Sequence, residues 1–243
     1  MLDADTLARW SAALTAPIIE EAAKLACAAV ILTLCAAICT RVGQALLVGM
    51  FVGFGFDVVE DLVYASSQAL SSLDSDVSGA RTQLILRAFT SVPAHWAFTG
   101  LTTAGLMLLL PWCTSVTGWS PSRRFGTALG LLAAGPLLHF IWNSPAPEEP
   151  GAAMLVMAGK IVVNLAVFLV VTRALLRGER GRVTARIAAG GPALDAFEPS
   201  VLASLETGRA RRALRRNAKR DGGRPAARAV ARAQRDALDA LQT

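Results

Sequence analysis

The sequence places ionisable side chains inside stretches that are otherwise apolar enough to lie in a membrane. Its only two histidines, His95 and His139, each interrupt such a stretch. A charged group near the centre of a membrane helix costs about 2.5–3.5 kcal/mol on insertion scales, so ionisable residues held there are by default functional or neutralise functional ones. The two histidines are therefore the first candidates for chemistry.

Carboxylates and basic residues also interrupt apolar stretches, mostly ones other than those that hold the histidines. They are Glu20, Glu21, Lys24, Asp57, Glu60, Asp61 and Arg87. Two carboxylates beside two imidazoles, away from bulk water, can activate a water molecule as general bases. Asn143 follows His139 by one helical turn, and an Asn–His pair can donate hydrogen bonds to the oxyanion of a tetrahedral intermediate. The pattern therefore indicates hydrolysis.

A metal ion is the alternative means of activating that water. Two histidines and a glutamate are the ligand types of a catalytic zinc ion that keeps a fourth position open. The candidate ligands are Glu60, His95 and His139. The sequence contains no HExxH motif, so it carries no direct zinc signature. A glutamic mechanism and a metal-dependent one both remain open.

Five apolar stretches are long enough to position these residues within a bilayer. They lie at about 18–40, 42–70, 83–112, 125–145 and 151–175, and we call them segments A to E. About 20 apolar residues in a helix cross the hydrocarbon core, whereas an open sheet cannot satisfy its backbone groups in lipid. We therefore predict an all-α, polytopic transmembrane bundle of about five membrane helices. In segment B, Gly49, Gly53 and Gly55 should allow a neighbouring helix to approach closely.

Charge divides the chain into an acidic body and a basic tail. Residues 1–172 carry a net charge of −3, whereas the remainder has sixteen Lys or Arg against seven Asp or Glu, a net of +9. The positive-inside rule puts Arg41, Arg123, Arg124 and the tail on the cytoplasmic side. We expect a multi-pass protein of the cell membrane whose cytoplasmic tail lies near anionic headgroups, with nucleic acid the less favoured partner.

Glycines divide the tail into helices. The sequence Gly190-Gly191-Pro192 predicts one break, and Asp221-Gly222-Gly223 predicts a second. The stretches after the first break are rich in Ala and Arg, which favour helix. We assign residues 1–176 to the membrane domain and 177–243 to the basic helical tail.

Four short motifs occur in chain order, one on each of segments A to D. They read PIIEEAAK from Pro17 to Lys24, GFGFDVVEDLVY from Gly53 to Tyr64, RAFTSVPAHWAFT from Arg87 to Thr99, and LHFIWN from Leu138 to Asn143. Together they resemble the motifs of the PrsW intramembrane proteases, a family related to the type II CAAX prenyl endopeptidases. Family members usually carry helices before the Glu-Glu motif, so the resemblance predicts further helices upstream of this sequence.

The resemblance implies an endopeptidase that cleaves a membrane-anchored protein, such as an anti-sigma factor. The residues that it assigns to catalysis are Glu20, Glu21, Glu60, His95, His139 and Asn143. One of the adjacent glutamates would be the base, Glu60 a supporting carboxylate or ligand, and Asn143 an oxyanion donor. The two histidines would be oxyanion donors or ligands, with zinc as the candidate metal. Asp61 stands where family members usually have Asn.

Two other classes of function also fit membrane-embedded Glu and His residues. Such residues relay protons in proton-coupled transporters, although transporters usually show internal repeats and this sequence shows none. The third alternative is a non-catalytic scaffold that retains a remnant of the site. Cleavage of a candidate substrate in proteoliposomes would separate the three.

Overall fold

The computed structural model describes residues 3–91 and 94–241, and within them every regular element is a helix. The helices are α1 (Ala4–Leu34), α2 (Val42–Ser71), α3 (Asp76–Thr90), α4 (His95–Leu109), α5 (Pro121–Asn143), α6 (Pro150–Ala189), α7 (Pro199–Ser204) and α8 (Gly208–Ala240). The all-α class is confirmed for this part of the chain. The residues form two compact units, one up to residue 172 and one from residue 173 onward.

Three of the described helices, α2, α5 and α6, are long and apolar enough to cross a membrane. The sequence predicted about five membrane-spanning helices, and three of the described helices meet the requirements. In α1 the charges of Glu20, Glu21 and Lys24 interrupt the apolar half of the helix, and α4 has only 15 residues.

Segment C is not the single span that its apolar composition predicted, and that prediction is wrong. The structure divides it into α3, which ends at Thr90, and α4, which begins at His95. The sequence Val92-Pro93 between them lies outside the described residues, and a proline disfavours helix for the residue before it. The division makes His95 the first residue of a helix rather than a residue in the middle of one.

α4 lies at the centre of the first unit, where twelve of its fifteen residues are buried. Glycines on its two neighbours allow this close packing, because a Cβ on Gly49 or Gly53 of α2 would approach the α4 backbone to less than 3.0 Å. A Cβ on Gly135 of α5 would likewise come within 3.0 Å of the carbonyl oxygen of Phe98. A Cβ on Gly55 would meet no atom within 4 Å, so the expected close approach occurs at two of the three glycines named for it.

Charged side chains bind the ends of three helices. Arg124 donates to the carbonyls of Leu108 and Leu110 at the end of α4, at 2.5 and 2.8 Å. Lys160 donates to the carbonyls of Trp142 and Ser144 at the end of α5. At the start of α6, the backbone N–H groups of Ala152 and Gly151 donate to the Glu149 carboxylate and lower the pKa of that group.

The unit from residue 173 onward reverses direction at glycines. α6 ends at Ala189, and Gly190 follows with a φ of +66°, a conformation that other residues rarely adopt. Gly223 has a φ of +69° inside α8 and bends that helix. The two breaks occur where the Gly-rich sequences predicted them.

The two halves of α8 pack side by side. Arg215 Nε donates to Gln234 Oε1 at 2.6 Å, although a straight helix would hold these residues about 28 Å apart. Gln234 Nε2 also donates to Ser204 Oγ of α7 at 2.8 Å. Val201, Leu205 and Ala237 form the buried apolar cluster of this unit.

Candidate active site

His95 is the central residue of the polar cluster in the first unit. The side chain is buried, with Lys24 Nζ 2.6 Å from its Nδ1 and Glu60 Oε2 3.2 Å from its Nε2. An ammonium group has donors only, so Nδ1 must accept. In the neutral ring Nε2 therefore carries the hydrogen and donates to Glu60. The two ring nitrogens of His95 thus face two different sets of residues.

His139 is held in the opposite tautomer. Glu21 Oε1 lies 3.1 Å from its Nδ1, and because a carboxylate accepts, Nδ1 carries the hydrogen. Asn143 Nδ2 lies 3.2 Å from Nε2 and donates to it. The ring of His139 meets the ring of His95 edge-on, with centroids 4.7 Å apart. The histidines on α4 and α5 are therefore in direct contact.

The adjacent glutamates of α1 have different environments. Glu21 is almost fully buried and accepts hydrogen bonds from Lys24, His139 and Thr99. The Glu20 side chain is 23% exposed, and its Oε2 lies 3.9 Å from both His95 Nδ1 and His139 Nε2. Of the two glutamates, Glu20 is therefore the more exposed.

A second set of charges lies on the Nε2 side of His95. Arg87 of α3 donates to Glu60 and to Asp61, the latter at 2.5 Å, and its guanidinium stacks over the ring of Tyr64. Asp61, where family members usually have Asn, is thus an ion-pair partner of Arg87. Pro93 of the same motif lies outside the described residues.

Asp57 belongs to this second set, and reasoning from the sequence did not assign it a role. It is 5% exposed, and its carboxylate lies near the backbone N–H of Trp96 in the first turn of α4. Oδ1 lies 4.0 Å from His95 Nε2. Asp57 precedes Glu60 by one helical turn, which is the signal that could have identified it.

Two groups of three residues among those described have ligand atoms close enough to hold a metal ion. They are Glu20, His95 and His139, and Asp57, Glu60 and His95. In each group the ligand atoms lie within 4.8 Å of one another. The sequence suggested Glu60, His95 and His139 as ligands of one metal ion. In the structure Glu60 belongs to one group and His139 to the other, because they lie on opposite sides of His95.

The net charge of the cluster is negative. Its five carboxylates belong to Glu20, Glu21, Asp57, Glu60 and Asp61, and its two permanent cations to Lys24 and Arg87. With ionised carboxylates and neutral histidines the sum is −3. Uncompensated buried charge is costly, so this cluster favours an additional cation.

Comparison with known proteins agrees with the motifs. A family model described as the PrsW family intramembrane metalloprotease matches residues 1–174. No curated protein and no solved structure matches the chain. The family match spans all five helices that contribute to the cluster, α1 to α5. The resemblance is thereby confirmed, and the chain belongs to the PrsW family of intramembrane metalloproteases.

Proposed function

We propose that this protein hydrolyses a peptide bond of a membrane-anchored protein, such as an anti-sigma factor, at the cluster around His95. The observation that carries the proposal is the position of Glu20. Its side chain is 23% exposed, and its Oε2 lies 3.9 Å from ring nitrogens of both His95 and His139. A carboxylate in that position is suited to general-base catalysis beside two polar groups that can bind a reacting carbonyl.

In the first step Glu20 accepts a proton from a water molecule whose oxygen attacks the carbonyl carbon of the substrate. The negative charge that develops on the carbonyl oxygen requires hydrogen-bond donors. Asn143 Nδ2–H, which donates to His139 in the resting structure, is one such donor. In the second step the C–N bond breaks, and the Glu20 carboxyl returns its proton to the leaving amine nitrogen.

Glu21 and Glu60 act on this chemistry through the histidines. Each accepts the N–H of one ring, His139 in the case of Glu21 and His95 in the case of Glu60. Carboxylates in this position fix the tautomer and orientation of an imidazole. We assign them as positioning residues.

The same tautomers suit Glu20, His95 and His139 to a metal ion. The lone pairs of His95 Nδ1 and His139 Nε2 lie on the side of Glu20, while the opposite ring N–H groups donate to carboxylates, the usual arrangement of metal-binding histidines. Two histidines and one glutamate are a zinc-type donor set. When bound, such an ion would polarise a carbonyl oxygen as a Lewis acid.

In the other group, Asp57, Glu60 and His95, the required nitrogen Nε2 already carries a hydrogen. We therefore propose Glu20 in place of Glu60 as the carboxylate ligand of a metal-dependent reaction, which is the alternative to its role as a free general base. Metal analysis of the purified protein, with Glu20→Gln and Glu60→Gln compared, tests this choice. Loss of metal only in Glu60→Gln would contradict it.

We also propose that the site faces the outer half of the bilayer and that the tail lies in the cytoplasm near anionic headgroups. The support is the charge distribution, with the basic residues of the tail following the last apolar helix. A C-terminal reporter should be active in the cytoplasm. A reporter that is active only outside would overturn both the topology and the outward-facing site.

Cleavage of a single-span substrate in proteoliposomes tests the function. Wild-type protein should cleave, whereas Glu20→Gln and His139→Ala should insert normally and not cleave. Glu148→Gln, the same chemical change in a highly exposed side chain, is the matched control and should cleave normally. Proton flux without cleavage would identify a transporter, and neither activity would identify a scaffold; both results would overturn the proposal.

A further inference from the structure

The side chain of Lys24 lies fully enclosed in the cluster, at 2% exposure. An ammonium group has three hydrogens to donate, and three acceptors surround this one. They are His95 Nδ1 at 2.6 Å, Glu21 Oε1 at 2.8 Å and Glu20 Oε2 at 3.2 Å. The ring of Phe56 also lies against the ammonium, with Nζ 3.9 Å from its centroid. All three hydrogens of the Lys24 ammonium therefore have an acceptor within the cluster.

Two of these three acceptors are ligand atoms of the metal-binding group on the Nδ1 side of His95. Glu20 Oε2 and His95 Nδ1 belong to that group, and His139 Nε2 completes it at 3.9 Å from Glu20 Oε2. A metal ion bound there would need the His95 lone pair that now accepts from Lys24. An ion and the ammonium therefore cannot use His95 Nδ1 at the same time.

The spacing of the ligand atoms is wider than a bound zinc ion would require. Glu20 Oε2 lies 3.9 Å from each histidine nitrogen. Bonds of about 2.0–2.1 Å in a tetrahedral zinc site would bring such atoms to about 3.3 Å from one another. Hydrogen bonds to an ammonium, at about 2.7–2.9 Å, would hold tetrahedral acceptors about 4.6 Å apart. The observed separation lies between the two values, so the ligands must draw closer together to bind an ion.

We propose that Lys24 is an internal cation that holds two of the three ligands of the metal position, Glu20 and His95, and that a divalent ion binds there only by displacing it. The proposal rests on the proposed function for the identity of that ligand group. Lys24 would then select between two states of the site. With the ammonium in place, Glu20 is not a metal ligand. With the ammonium displaced, Glu20 and His95 can close on the ion, and His139 Nε2 joins them once it no longer accepts from Asn143.

Zinc affinity of the full-length protein in detergent tests the inference without reference to cleavage. Competition with a chromophoric chelator would be measured for wild type, Lys24→Met and the control Lys160→Met, which removes another buried lysine. Lys24→Met should bind zinc about 10–100-fold more tightly, the range by which groups next to metal ligands usually alter affinity. Lys160→Met should bind as wild type does. Unchanged or weaker binding by Lys24→Met would overturn the proposal.

A double variant distinguishes displacement at this position from a general gain in negative charge. In Lys24→Met combined with His139→Ala, the gain should disappear, because one of the three ligands is missing. If the gain persists, the ion binds elsewhere and the inference fails. A cleavage assay on the same preparations separates this result from the proposed function, since zinc affinity can rise at Lys24→Met whether or not the protein is a protease.

Amine labelling of the wild-type protein gives a second test that needs no substitution. Lys24 is enclosed and should resist an amine-reactive reagent in metal-free protein. Saturating zinc should make it reactive, as measured by mass spectrometry of the labelled peptide. Protection of Lys24 in the presence of saturating, bound zinc would show that the ion does not displace the ammonium, and would overturn the inference even if Lys24→Met does not fold.

Discussion

Lys24 Nζ lies 2.6 Å from His95 Nδ1, which joins residues 71 positions apart in the sequence. The contact fixes which nitrogen of His95 carries the hydrogen, and so directs the ring N–H toward Glu60. It also places a permanent positive charge beside Glu20 and Glu21. The orientation of the central histidine and the charge balance of the α1 glutamates therefore depend on one side chain.

The adjacent glutamates should differ when each is replaced by glutamine. Glu20→Gln should lower the cleavage rate by about 10²–10⁴-fold, the usual contribution of a general base, with little change in thermal stability. Glu21→Gln should also lower the unfolding temperature, because replacing a buried acceptor of three hydrogen bonds costs about 1–3 kcal/mol. Cleavage and thermal unfolding in detergent measure both effects. Equal loss of stability in the two variants would contradict the assigned environments.

Asn143→Ala should retain more activity than Glu20→Gln. The loss of one oxyanion donor typically reduces the rate by about 10²–10³-fold. Asn143 lies at the end of α5 and also donates to His139, so Asn143→Asp, which cannot donate, should be as defective as the alanine variant. The comparison uses initial rates of cleavage in proteoliposomes. A fully active Asn143→Asp would rule out an oxyanion donor at this position.

Gly53→Ala should disrupt the contact between α2 and α4. The added Cβ would meet the backbone of His95 and Trp96, where no flexible side chain can move away. Overpacking of this kind costs about 1–3 kcal/mol and should also move Glu60 relative to His95, so both stability and cleavage should fall. Gly55→Ala, on the same helix but facing open space, is the matched control. Equal behaviour of the two variants would show that close helix packing does not position the site.

Asp57→Asn should test whether this buried carboxylate lowers the stability of the fold or is required for activity. The asparagine would keep an oxygen for the Trp96 N–H and remove a buried charge that neutral His95 does not compensate, so the free energy of unfolding should rise by about 1–3 kcal/mol. Thermal unfolding in detergent measures this, and Asp74→Asn in the loop before α3 serves as the control. A less stable or inactive Asp57→Asn would instead show that this carboxylate has a partner when the protein functions.

The residues of the site were accessible from the sequence because membrane segments make ionisable groups conspicuous. Glu20, Glu21, Glu60, His95 and His139 stand out against apolar neighbours, since each is costly in lipid whatever the fold. The tail breaks were equally accessible, because a positive φ is a local requirement that glycine meets. Each of these predictions depends on a residue and its immediate neighbours in the chain.

The pairing of those residues was decided only by the tertiary structure. Which carboxylate meets which ring nitrogen depends on the rotation and register of packed helices, set at contacts such as Gly49 and Gly53 against α4. A pattern of residue types does not encode that register, so it could not place Glu60 and His139 on opposite sides of His95. It also could not show that Lys24 fills the space between Glu20 and His95, because that contact exists only when α1 and α4 are packed together.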